Sequence, residues 1–354
     1  MIRERPGGLA VFLLAAALAA GCRTQQTQIA SGPVQPPVVP VEPTALDVSL
    51  GEGQTLGDPV VHANLAVYPV RAAVRAEVAE YLTLDEALQK GLVEVTERDN
   101  AEVSSVSVTN HADLPLYLMA GEVILGGKQD RVVAKDTVVP AHAKDYLVRV
   151  FCVEPHRWAG ESESFKESGL QASTTVRKAA QVEDDQGQVW ARVADENTVA
   201  GAEPQTGTYR VGAQEGRVAE AAEAYVDAIL PALEQDEEAL GVVVAVDGKV
   251  VSADVYGSQS LFRKLRGKLL AAHARDAAAS AVQGQAREET PPQAAAAEFL
   301  REARGGTQTE RTQVGTHDRL RVESDRAVGF QMVAEPEAAE APAEALHETY
   351  FGEE

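Results

Sequence analysis

Apolar positions recur along the chain with two periods, and the expected architecture changes where the period changes. Through the first half the spacing is close to two. Residues 65–70, 93–96, 103–109, 116–125, 129–135 and 146–153 alternate or run apolar between turn-forming residues, the pattern of a largely antiparallel sheet. One short helix interrupts them over 83–91. Thr83 is a good N-cap, Glu86 follows three residues on, and Gly91 can end it. From Ser173 the spacing lengthens, and residues 173–182 and 188–199 predict weakly apolar surface helices around a mobile loop. Val218, Ala222, Tyr225, Ile229 and Leu233 stand three and four apart, which predicts a firm helix over 216–234. Apolar runs over 241–246 and 250–255 flank Asp247-Gly248, a hairpin signal. Ser258 or Ser260 can cap the next helix. Leu261, Phe262, Leu265 and Leu269 make its apolar face, and Arg263, Lys264, Arg266 and Lys268 a face expected to be solvated.

After a loop over 284–292 come a helix over 294–303 and strands over 309–314, 319–322 and 328–333. The predicted class is α+β: an antiparallel β-rich N-terminal half, sandwich- or barrel-like, packed with a helix–hairpin–helix C-terminal half. It forms a single domain over 46–334. Residues 335–354 are rich in Glu, Ala and Pro without Lys or Arg, and predict a disordered acidic tail.

The first residues carry a different signal. Arg3 and Arg5 precede an apolar run from Leu9 to Leu18, which is shorter than the roughly 20 residues that cross a bilayer. Leu18-Ala19-Ala20-Gly21-Cys22 resembles the lipobox of bacterial lipoproteins, with Ala19 where Leu is commoner. Residues 1–21 are therefore read as an export signal and Cys22 as the lipidated N-terminus, against the alternative of an uncleaved membrane helix. The resemblance implies a membrane partner through the lipid on Cys22. Arg23, where Asp would favour inner-membrane retention, implies an outer-membrane anchor, periplasm-facing or at the cell surface. The Pro-rich residues 22–45 then form a tether.

The formal net charge of −22 repels phosphate backbones, so nucleic acid is not an expected partner. Of the two cysteines, lipidation of Cys22 leaves Cys152 unpaired and expected as a buried apolar side chain.

Chemistry concentrates at two places. Gly121-Glu122-Val123-Ile124-Leu125-Gly126-Gly127-Lys128-Gln129-Asp130-Arg131 fails as a phosphate loop in spacing and in lacking Ser or Thr after the lysine. As a hairpin with a Gly126-Gly127 loop, it sets Glu122 opposite Arg131, with Gln129 on the same face. That pair either fixes strand register or lines a cleft in which Arg131 grips an anion and Glu122 acts as base or hydroxyl acceptor. The second place is Glu154-Pro155-His156-Arg157-Trp158 at a strand end, either packed or a second part of the same cleft. No Cys-x-x-Cys, His-Glu-x-x-His or Gly-x-Ser-x-Gly occurs, so no metal or cofactor and no catalytic set is assigned.

These residues also carry a resemblance. Gly121-Glu122, Gly126 through Arg131, Cys152-Val153-Glu154, Arg157-Trp158, Asn110 and residues 241–262 are similar to the domain family named for its association with ADP-ribosylglycohydrolases and rhodanese/phosphatase-superfamily proteins. His156 stands where that family favours Gly. The likeness spans most of 60–330 and implies a link to NAD or ADP-ribose metabolism. Three functions follow as expectations. The first is a module binding a small anionic, nucleotide-like ligand at Glu122, Lys128, Gln129, Arg131, Glu154, Arg157 and Trp158. The second is a structural or protein-interaction lipoprotein. The third is a hydrolase using Glu122 or Glu154 as base.

Overall fold

A computed structural model of the chain describes residues 47–73, 80–98, 103–160, 162–334 and 345–353. The residues expected as export signal and tether, Cys22 among them, lie outside the described residues. The protein is α+β, and its strands fall into three sheets.

The Asp247-Gly248 hairpin sits at the centre. Asp247 and Gly248 take φ of 53° and 80°, the left-handed pair that turns antiparallel strands back on themselves. They join Ala239–Val246 to Lys249–Tyr256. The first strand of the hairpin is buried along its whole length, because helices cover both faces of the sheet. Helices Arg217–Gln235 and Gln259–Val282 cover one face through Ile229, Leu233, Phe262, Leu265 and Leu269. Helix Gln293–Arg304 covers the other through Ala296, Phe299 and Leu300. A run covered on both faces reads as continuously apolar rather than alternating.

This sheet crosses the expected boundary between halves. Leu65–Ala72 pairs antiparallel with Ala239–Val246, so the earliest described strands belong with the C-terminal hairpin. The larger correction is at the other end. Residues expected as a disordered tail include the strand Ala345–Gly352, inserted between Lys249–Tyr256 and Ala327–Ala334. Its Leu346, His347, Thr349, Tyr350 and Phe351 are buried. Acidic, Ala- and Pro-rich composition dominates the average over 335–354 and hides these eight residues. Residues 335–344 lie outside the described ones.

The remaining strands form a six-stranded sheet and a three-stranded one. The run expected as one strand over 116–125 splits into Leu116–Leu118 and Glu122–Gly126, in different sheets. Gly121 makes the corner. Its φ is 94°, and a Cβ there would lie 2.4 Å from the Gln171 amide nitrogen and 2.6 Å from Arg177 Cγ, so only glycine fits. Phe165–Gln171, a strand the alternation does not predict, pairs along Glu122–Gly126.

Candidate functional site

The residues singled out in the sequence separate into two places. Glu122 and Arg131 do not face each other. Arg131 pairs with Ile124 and Val132 with Val123, a shift of two from the expected register. The turn is wider than Gly126-Gly127 alone, and within it Asp130 Oδ1 accepts the Gly126 N–H at 3.1 Å.

Gln129, Arg131, Glu154 and Arg157 do come together, around Asp130. Arg157 donates to Glu154 Oε2 at 2.7 Å, Asp130 Oδ1 at 3.1 Å and Gly127 O at 2.8 Å. Gln129 Nε2 reaches Glu154 O at 2.7 Å. Arg131 donates to Gln129 O at 2.7 Å and to Glu97 Oε1 at 3.2 Å, and Lys128 meets the other oxygen of Glu97 at 3.5 Å. Burial and the nearby Glu154 push the Asp130 carboxyl up. Burial also works against Glu154, but its bond with Arg157 outweighs this and holds its carboxyl low. The cluster is a clasp whose cations are taken by protein acceptors. Trp158 stands apart, 61% exposed.

Glu122 belongs to a different contact. Its Oε2 accepts the Met119 N–H at 2.8 Å, and its Oε1 meets Lys268, which also bonds Asp85 at 2.6 Å. Lys264 reaches Glu86 at 3.0 Å. The helix face expected to be solvated is therefore in part an internal one, binding the long helix to residues 81–86.

A separate buried ionic chain includes none of the expected site residues. Asp254, fully buried, takes Arg177 through both oxygens at 2.6 and 3.2 Å. His347 Nε2 lies 3.3 Å from Asp254, and its Nδ1 lies 2.7 Å from Asp136. The His347 ring stacks on Tyr256, with centroids 4.3 Å apart. Burial opposes charge on the ring, but Asp136 and Asp254 prevail and push it up to about 9. Burial also disfavours the Asp254 carboxylate, yet Arg177 and the two histidines hold it well below the carboxylate range. His273 continues the chain, 3.9 Å from Asp254 and 3.7 Å from Asp276.

Asp276 opens onto a cavity of about 340 Å³, within the range of small-molecule sites. Its walls come from Thr174–Lys178 and Gln186–Ala200, from Tyr209–Glu215, and from the C-terminal part of Gln259–Val282. Val199, Val218, Val246 and Val251 supply an apolar side. The polar side holds Thr174, Thr175, Glu196, Arg275 and Asp276. Asp276 Oδ2 accepts Thr174 Oγ1 at 2.6 Å. Glu196 accepts the hydroxyls of Ser173 and, at 2.7 Å, Thr175. Burial pushes its carboxyl up to about 7, which suits it to give or take a proton near neutrality. Arg275, 9% exposed, donates to Gln171 O, while its Nε is buried without a partner.

None of the seven expected residues lines this cavity. The one signal for it was His273, Arg275 and Asp276 set within the alanines of 271–279. Three charged or titratable groups in an Ala-rich buried helix need buried partners. Among the described residues no three His, Cys, Asp or Glu are placed to hold a metal, and no helix is long and apolar enough to cross a membrane. A family model described as "ARG and Rhodanese-Phosphatase-superfamily-associated Protein domain", ARPP-1, matches residues 53–351. No curated protein and no solved structure matches the chain.

Proposed function

The chain belongs to the ARPP-1 family, and from that premise we propose that it is an envelope lipoprotein binding a small ribosyl-phosphate-type ligand, of the NAD or ADP-ribose class, in the cavity at Arg275. The observation that carries this reading is a cavity wall that brings the Arg275 guanidinium together with the carboxyls of Asp276 and Glu196. Arg275 and Arg192 would hold phosphate. Asp276 and Glu196 would accept ribose hydroxyls, and the valine side would receive the ring. Glu122 and Arg131 are less suited to hold the ligand, because both are bonded within the protein.

The test is calorimetric titration of the soluble body with ADP-ribose, NAD and ribose 5-phosphate, on wild type and on Arg275→Met. Binding by wild type that is lost in the variant is expected. No heat and no melting shift with any of the three ligands overturns the reading.

A hydrolase is the second reading, and one observation favours it: a cavity carboxyl near pH 7 at Glu196. Glu122 and Glu154 are less suited as bases, because lysine and arginine already hold them. Turnover of a bound ribosyl compound by wild type, abolished in Glu196→Gln with binding retained, supports it. The membrane anchor rests on Arg3, Arg5, the Leu9–Leu18 run and Cys22. Palmitate labelling in cells, lost in Cys22→Ser, tests it, and equal labelling of the variant refutes it.

A further inference from the structure

Four cations gather around residues 181–184, on a chain whose overall charge is strongly negative. The π-helical turn Ala179–Glu183 offers two backbone carbonyls. Gln181 O receives Arg319 Nη2 at 3.4 Å, and Val182 O receives Arg321 Nη1 at 3.0 Å. Arg319 and Arg321 stand two apart on the strand His317–Glu323 and so share a face. The next residue past the turn, Asp184, takes Arg149 at 2.8 Å and Lys135 at 3.9 Å on one carboxylate. Glu323 bonds Arg321 at 2.7 Å, and Glu310 lies across from Arg321 in register. Counting Asp136, which acts on Arg319 but is bonded to His347, five cations meet four carboxylates.

Arg319 is the residue left over. It is 5% exposed and makes no ion pair among the described residues, and its hydrogen bond to Gln181 is long. Its guanidinium lies 3.3 Å from the centre of the Phe330 ring, which fixes its plane and leaves its N–H edges for an acceptor. The Gln181 side chain, 2% exposed, has no partner for either polar atom. Short π-helical turns recur at functional sites.

We propose that Lys135, Arg149, Arg319 and Arg321 form a binding site for a phosphate-class oxyanion, free or as the monoester of a small molecule. The bound anion bonds the open edge of Arg319 and offsets the excess positive charge. The state without it is strained electrostatically. Burial, then Arg319 and Arg149, lower Lys135, and burial brings Arg319 down to about 10. None of the four residues lines the Arg275 cavity, so the site stands or falls independently of that ligand.

The experiment is titration of the full chain with inorganic phosphate at low ionic strength, by calorimetry and by melting curves, with chloride at equal ionic strength as reference. Wild type is expected to bind phosphate and melt higher with it. Lys135→Met is expected to bind roughly tenfold more weakly or worse, the loss of a charge-assisted bond. Without phosphate it should melt no lower than wild type, because a repelled cation has been removed. Arg149→Met provides the second variant and should lose affinity likewise. The titrations are repeated on the Arg275→Met background, which removes phosphate held in the Arg275 cavity, and Lys135→Met should still weaken the binding that remains. Absence of a phosphate effect in wild type overturns the proposal. So does unchanged affinity in both cation variants, or a lower melting point of Lys135→Met without phosphate, which would make the cation a structural one.

Discussion

Replacing His347 with Gln removes one buried cation from between two carboxylates, and the pH dependence of its effect is the informative measurement. His347 faces Asp136 from the loop after Arg131–Val133, Asp254 and Tyr256 from the neighbouring strand, and Tyr117 from the small sheet. Folding moves its ring from about 6.5 to about 9. That difference is worth about 3 kcal/mol. The folded state holds the proton more tightly, so the contribution is fully present below about pH 6.5. It falls to about 2 kcal/mol at pH 7.5 and is lost as pH rises through about 9. The two carboxylates behave oppositely. Asp136 and Asp254 are held below their usual range, so their contribution is present above about pH 4 and is lost as pH falls through their lower folded values. The assay is urea unfolding of wild type and His347→Gln at pH 6, 7.5, 9 and 10. The stability gap between them should be largest at pH 6 and shrink by about 3 kcal/mol by pH 10. A gap that stays constant across this range would show that His347 is neutral in the fold, and the ionic chain as described would be wrong.

Asp254→Asn strands Arg177 without its bidentate partner in a fully buried position, and should cost about 3–5 kcal/mol in urea unfolding; a loss under about 1 kcal/mol contradicts this. Glu196→Gln should do the reverse. Its carboxyl is raised to about 7, so ionisation destabilises the fold progressively as pH rises from about 4.5 to 7. The variant should melt higher than wild type at pH 8 and equally at pH 4.5, and a uniform shift at both refutes the raised carboxyl. Truncation after residue 344 removes the strand Ala345–Gly352 from inside the sheet. The truncated chain should show no cooperative melting transition, and a wild-type transition would mean the strand is dispensable.

Legibility in the sequence followed the range of the interactions involved. The helices Arg217–Gln235 and Gln259–Val282 and the Asp247-Gly248 hairpin are set by local spacing, caps and turn chemistry, and all were readable. Gln129, Arg131, Glu154 and Arg157 stood out as two separate stretches, and whether those stretches meet was not readable. Nor was the register, because side-chain contacts such as the Gly126 N–H to Asp130 bond leave no mark in the spacing. Arg275 and Asp276 meet Glu196 only after two helices pack, and nothing in the spacing of the two stretches brings them together. Ala345–Gly352 was hidden by the acidic, Ala-rich composition around it. Its buried His347 and Thr349 look like tail residues until Asp254 and Arg177 stand beside them.

The placement of that last strand bears on when the protein can fold. Ala345–Gly352 joins the block of strands ending at Lys249–Tyr256 to the block beginning at Ala327–Ala334, and it follows both in the chain. A ribosome releases the two blocks before the piece that unites them. Until then Asp254 and Arg177 lack His347, and the sheet has two open edges. Commitment to the native state is thereby postponed until synthesis is nearly complete. For a chain exported as proposed, such a delay would keep it threadable through a translocation pore, with assembly on the far side.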